Sequence, residues 1–252
     1  MKTLISVLFI LLANNSFAED MRYYDVEIVI IENLDESQRT SENWPLQVNL
    51  TLPEKIITLG QPFNKEWLPQ EVDLKESYKL LNSSHYQLTA ELEKIAESET
   101  QRVIFHTAWR QPGLDKNLSL PVYFKREIPA PPVIENENQT QENIESEQST
   151  ESLKTPSILE GILRVTLARY LHLEAELTLQ NKIPELAPSD NPFSVLDNEN
   201  VRKELQKQGV IHLKQDRRRI RSNELHYLDH PVLGILVRIT PYKKPEEVTV
   251  LN

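Results

Sequence analysis

The chain has no cysteine. That excludes disulfides and thiolate metal sites, makes a lipid anchor on cysteine an unexpected feature, and leaves a hydrophobic core to supply stability. Glycine is nearly as scarce: Gly60, Gly113, Gly161, Gly209 and Gly234 are the only five in 252 residues, too scattered to build a phosphate-cradling loop. Neither G-x-S-x-G nor H-E-x-x-H occurs, so the common serine-hydrolase and zinc-protease signatures are missing. Long apolar runs are limited to Leu4 to Ala13, too short to cross a bilayer as a mature helix. Lys2 precedes that run and Ser16-Phe17-Ala18 follows it, the form of a secretory signal peptide cut after Ala18. An exported, soluble protein that does not span the membrane is expected.

Charge is plentiful but lopsided. Beyond residue 18 the chain carries 27 basic and 38 acidic side chains, a net of −11. Residues 19–155 hold 13 Lys and Arg against 25 Asp and Glu, whereas residues 156–252 hold 14 against 13. An acidic protein of this kind is not expected to bind nucleic acid. A local cationic site remains compatible with it, because salt screens charges beyond about 8–10 Å.

Several stretches read as strands. Tyr23 to Glu32 alternates and then becomes apolar on both faces, as a buried strand does. Arg102 to Arg110 alternates, and Gln111-Pro112-Gly113 ends it with turn chemistry. Val122 to Ile128 is a further candidate. Ile158 to Gln180 keeps Leu159, Leu163, Val165, Leu167, Leu171, Leu173, Ala175, Leu177 and Leu179 on one face. It is long for one strand, so a bend is expected near Arg169-Tyr170. Asp216 to Pro241 reads as two antiparallel strands turning at Asp229-His230-Pro231.

One helix is expected. Ser84 has the capping-box spacing to Gln87, and Leu88, Leu92 and Ile95 follow at helical intervals. Pro129 to Thr155 is rich in Glu, Asn, Gln and Ser and poor in apolar residues, so it reads as a disordered acidic insertion. The class is α+β: a largely antiparallel sheet of at least four strands with a helix on one face. Residues 19–128 and 156–242 would form a single domain around the insertion at 129–155, with 1–18 the signal peptide and 243–252 a tail.

Four separated segments carry a family resemblance: the YDVEIVIIE strand with Trp44-Pro45 after it, FHTAWRQP (105–112), RYLHLEAEL (169–177) and RRIRSNELHYLDHPVLGILVRITP (218–241). Together they resemble the CsiV family, periplasmic peptidoglycan-binding proteins of gammaproteobacteria named for cell-shape integrity. The resemblance implies a non-enzymatic periplasmic protein that binds peptidoglycan and supports cell-wall synthesis. It also implies a possible link to a lipoprotein activator of a bifunctional penicillin-binding protein. It supplies no site residues and no cofactor.

Peptidoglycan offers sugar faces, which suit aromatic rings, and stem-peptide carboxylates, which suit the bidentate fork of arginine. Arg217, Arg219 and Arg221 would share one face of a strand, with Arg218 on the other. The plain reading of such a row is a charged edge that discourages aggregation, and the sharper one is a ligand surface. Tyr170 with His172, and Arg110 beside His106, Trp109 and Gln111, are the other polar-aromatic groupings; they would line a shared groove if their strands adjoin. His226, Asp229 and His230 are zinc-type ligands if a turn gathers them, and turn-building residues otherwise. An enzyme would need placed carboxylates, for which Glu174 and Glu176 on one strand face are the candidates. A protein adaptor that touches no glycan is the third class.

Overall fold

The computed structural model describes residues 21–131, 155–182 and 209–244. The expected signal peptide lies outside these residues. So do the expected acidic insertion, apart from its two ends, and the tail beyond Lys244. The strands are β1 (Tyr23–Asn33), β2 (Ile57–Thr58), β3 (Lys79–Leu80), β4 (Gln101–Pro112), β5 (Val122–Ile128), β6 (Ser157–Leu167), β7 (Leu171–Asn181), β8 (Ile211–Ile220), β9 (Leu225–Leu228) and β10 (Leu233–Tyr242). A four-residue helix, α1 (Glu36–Arg39), follows β1, and the longer α2 (Thr89–Ala96) precedes β4. No helix among the described residues is long and apolar enough to cross a membrane.

The class is α+β, but the strands form two sheets rather than one. Their orders are β3-β4-β1-β10-β9 and β2-β5-β6-β7-β8. Every pairing is antiparallel except the short β2–β5 contact. The sheets pack face to face. Val26, Ile28 and Ile30 of β1, Trp109 of β4 and Ile235, Val237 and Ile239 of β10 meet Leu159, Leu163, Leu173, Leu177, Leu179 and Leu213 of the second sheet in one buried cluster. Chain segments on both sides of residues 132–154 therefore supply the same core.

The two-sided apolarity of β1 has a direct cause. Its opposite face sets Val29 and Ile31, with Leu236, against Leu88 at the start of α2 and Ile95 within it. The first sheet is thus covered by the second sheet on one side and by α2 on the other.

Three local expectations change. The bend expected near Arg169-Tyr170 is a full reversal, so Ile158 to Gln180 is a hairpin whose two strands pair from Ser157↔Asn181 to Leu167↔Leu171. The face assignment survives because a hairpin leaves the alternation of each arm intact. Secondly, Asp216 to Pro241 is not one hairpin: β8 belongs to the second sheet, and only β9 and β10 pair, Leu228 opposite Ile235. Thirdly, Ser84 does not cap α2. It sits in a short 3-10 turn, and α2 begins after Leu88 without a cap from its own segment.

The cap comes instead from β1. Glu27, 4% exposed, accepts hydrogen bonds from the backbone N–H of Gln87 at 2.7 Å and of Leu88 at 3.2 Å. Its carboxylate also meets Nε2 of His106 at 2.8 Å, and the Tyr86 ring lies 4.2 Å from the His106 ring. A buried acid in an apolar strand requires such partners, and a carboxylate at a helix N-terminus also meets the positive end of its dipole.

Candidate binding face

The outer face of the second sheet is where charges gather, and most of them cancel. Glu174 accepts from Lys116 Nζ at 2.7 Å and stands 3.8 Å from Arg164. Glu176 contacts His212 at 3.1 Å and Lys214 at 3.7 Å. Glu160 accepts from the Tyr123 hydroxyl at 2.8 Å, with Lys125 at 3.3 Å. Burial and this carboxylate together push the Tyr123 hydroxyl up to about 12.

At one end of the face the balance fails. The β6–β7 turn, closed by the Ala168 N–H donating to the Tyr170 carbonyl at 3.1 Å, presents Tyr170 at 37% exposure. His172, two residues on, is the cross-strand partner of Arg219. The Arg219 guanidinium carbon lies 3.4 Å from the Tyr170 ring centroid, and that of Arg169 lies 5.4 Å away. Burial, followed by the charge of Arg217 and then that of Arg219, holds His172 below the ordinary histidine range. Its Nδ1 is buried and makes no hydrogen bond among the described residues. Among the described residues, Arg169, Arg217 and Arg219 make no ion pair with an acid.

A β-bulge builds this end. The register steps from Leu173↔Arg218 to Ala175↔Gln215, so Asp216 and Arg217 together oppose Glu174. Arg217 absorbs the extra residue at φ 38°, in the left-handed region. Strict alternation from Ile211 and Leu213 would turn Ile220 outward; the bulge returns it to the core at 2% exposure. The same step leaves Arg219 on the outer face beside His172 and puts Arg218 on the side of Leu173.

Sequence reasoning named six residues for a binding surface, and the structure brings four of them together: Arg217, Arg219, Tyr170 and His172. Arg221 lies beyond β8, where its side chain turns to Glu224 at 3.7 Å and its N–H donates to His226 Nε2 at 2.9 Å. Arg110 is elsewhere altogether. It is 4% exposed, donates to Asp25 from Nε and Nη2 at 2.6 and 2.9 Å and to Glu76 from Nη1 at 2.6 Å, and stacks 3.1 Å from the Tyr242 ring centroid. Three of its five N–H donors are spent on Asp25 and Glu76 and the side chain is almost fully covered, so it presents no open fork to a ligand.

The shared groove of Arg110 and His106 with Tyr170 does not form, because β4 and β7 lie in different sheets. Trp109 is core: its Nε1 donates to Gln111 Oε1 at 2.8 Å, and Gln111 Nε2 in turn donates across the sandwich to the Val165 carbonyl at 3.0 Å. His226 and His230 also go separate ways. His230 Nδ1 accepts from the N–H of Val232 and Leu233, building the β9–β10 turn. No group of three or more His, Cys, Asp or Glu among the described residues is placed to hold a metal.

Arg169 is the member that sequence reasoning missed. Its only signal was adjacency to Tyr170 at a chain reversal that alternation alone could not distinguish from a bend.

A family model described as "Peptidoglycan-binding protein, CsiV" matches residues 2–242, nearly the whole chain. No curated protein and no solved structure matches.

Proposed function

Because the chain belongs to the CsiV family of peptidoglycan-binding proteins, we propose that it holds peptidoglycan in the periplasm without cleaving it, through Arg217, Arg219, Tyr170 and His172. The supporting observation is the unpaired charge. Across the outer face of the second sheet, Glu160, Glu174 and Glu176 each have cationic partners, whereas Arg169, Arg217 and Arg219 have no acidic one among the described residues. Stem-peptide carboxylates would complete the set, bidentate on an arginine fork. The Tyr170 ring holds Arg219 in place, so less side-chain freedom is lost on binding.

Catalysis is poorly supported by the same face. Glu174 is engaged by Lys116 and Arg164, and Glu176 by His212 and Lys214, so neither carboxylate is left free to meet a glycosidic bond. A role in cell-wall synthesis and cell shape, with a lipoprotein activator of a bifunctional penicillin-binding protein as partner, extends the proposal to the protein's setting.

Co-sedimentation with protein-free sacculi over a salt series tests the reading. The protein should pellet at low salt and be released as salt rises, because exposed ion pairs are screened. Joint Arg217→Glu and Arg219→Glu substitution should weaken pelleting by roughly tenfold or more, about 1.4 kcal/mol or more. A folded double variant that pellets as fully as the parent refutes this site. Failure of the parent to pellet on protein-free sacculi, with retention on untreated envelopes, would favour the adaptor class.

A further inference from the structure

A concave surface lies on the outer face of the first sheet, away from the arginines. It is a cleft of about 230 Å³ lined by Asn33, Gln38, Gln101, Tyr227, Asp229 and Gly234, among others. Tyr227 of β9 pairs with Leu236, two residues along β10 from Gly234, so the two share a face. A Cβ at position 234 would stand 2.7 Å from the Tyr227 Cε2 and hydroxyl oxygen, closer than atoms pack. Glycine therefore lets the ring lie down on the β10 backbone. One side of the ring is seated there, and the residue keeps 45% of its surface exposed. Asp229, two residues on, lines the same cleft, and burial first and then its charge push the Tyr227 hydroxyl above the usual range.

The polar groups around this ring are uncharged apart from Asp229. Asn33 is committed to the turn, its Nδ2 donating to the Pro231 carbonyl at 3.2 Å. The carboxamides of Gln38 and Gln101 have no hydrogen-bond partner among the described residues. Each offers donors and an acceptor, the pairing that sugar hydroxyls and N-acetyl groups require. No cation lines the cleft, so it is unsuited to the carboxylates that the arginine face would take. Its volume is below the roughly 300 Å³ at which pockets for larger ligands begin, which fits a single pyranose ring.

We infer that this cleft is a second binding site, taking one uncharged N-acetylated amino-sugar ring against Tyr227, with Gln38 and Gln101 as its hydrogen-bonding partners. The inference rests on the peptidoglycan reading and adds to it a glycan contact separate from the arginine face.

The probe is the tetramer of N-acetylglucosamine, which has no carboxylate for the arginines to bind. Titrated into the full mature protein and followed by NMR, it should shift the Tyr227 ring and the Gln38 and Gln101 side-chain amides saturably. The affinity should change little between about 50 and 500 mM salt, since no ion pair is involved. Tyr227→Ala should weaken binding roughly tenfold, whereas Tyr227→Phe, which keeps the ring, should stay within about threefold. Joint Gln38→Ala and Gln101→Ala substitution, confined to partly exposed side chains, should also cost roughly tenfold and leaves the fold intact if Tyr227→Ala does not. Absence of saturable shifts up to roughly 10 mM tetramer, or undiminished binding by the double glutamine variant, overturns the site. Neither result bears on the arginine face: loss of sacculus pelleting in the Arg217/Arg219 variant with no tetramer binding refutes this cleft alone. Tetramer binding with unaffected pelleting of that variant refutes the arginine face alone.

Discussion

Replacing Glu27 by alanine tests the link between the first sheet and its helix. The carboxylate has three partners: the Gln87 and Leu88 N–H groups at 2.7 and 3.2 Å, and His106 Nε2 at 2.8 Å. Hydrogen bonds to a charged group contribute about 1.5–3 kcal/mol each, and truncating one partner of a buried polar network costs about 3–5 kcal/mol. Some of the freed donors regain water as the first turn of α2 frays, so a loss of about 3–4 kcal/mol is expected. For a domain of this size, about 2–4 °C accompanies each kcal/mol, so the melting temperature should fall by roughly 6–16 °C. Glu27→Gln keeps the shape and one acceptor oxygen, and should lose about 1–2 kcal/mol. Urea unfolding gives the free energies, and amide exchange at Gln87 and Leu88 reports the cap itself; both amides should exchange faster in the alanine variant. Loss of less than about 1 kcal/mol, with unchanged exchange at those two amides, would refute the cap as a stabilising element.

Two further predictions concern the arginine face. Arg217 holds φ at 38°, where a non-glycine residue is strained by about 1 kcal/mol; Arg217→Gly should therefore leave stability equal or up to about 1 kcal/mol higher in urea unfolding while weakening sacculus binding. A variant both less stable and fully binding would contradict both halves. His172 lies below the ordinary histidine range through burial and its arginine neighbours, so it should titrate low in side-chain NMR and move upward when Arg217 and Arg219 are neutralised. Below the unfolded value the unfolded chain takes up a proton that the native chain does not, so this contribution to stability is intact above that value and lost as pH falls toward the folded value. By the same linkage, an anionic ligand should raise the His172 value and bind more tightly as the pH falls; binding that weakens on acidification through this window would contradict it.

The core faces were legible because alternation is a local property. Leu159, Leu163 and Val165, and then Leu171, Leu173, Ala175, Leu177 and Leu179, point inward whether residues 167–171 bend or reverse. The two-sided burial of β1 was equally readable, since nothing but cover on both faces explains so apolar a strand. The sheet count was not readable, because periodicity states that a strand has an inner face without naming the sheet across from it. The arginine row shows the limit most clearly. A one-residue bulge inverts every later side chain of a strand, and no glycine marks this one, because Arg217 itself takes the left-handed conformation. The same blindness hid the cap of α2: Ser84 and Gln87 have the spacing of a local motif, while Glu27 reaches the helix from 60 residues away.

The arginines of β8 admit two explanations, and the proposal that they bind a ligand accounts for more of the geometry. β8 is the outermost strand of its sheet, and charge on an outer strand deters pairing with another chain. Deterrence requires charge alone. It needs neither a ring beneath Arg219 at 3.4 Å nor a histidine opposite it whose Nδ1 is left unpartnered. It also gives no reason to keep arginine at a left-handed position that glycine would occupy without strain. Strain and unpaired polar atoms that survive in a native protein are most readily understood at sites where they serve binding. The bulge alone would suffice to break the edge. What it does in addition is deliver Arg219 to the outer face, beside Tyr170 and His172, with no acid among the described residues to quench it. An edge serving only for protection would be expected to show charges that are mobile and interchangeable; these are oriented.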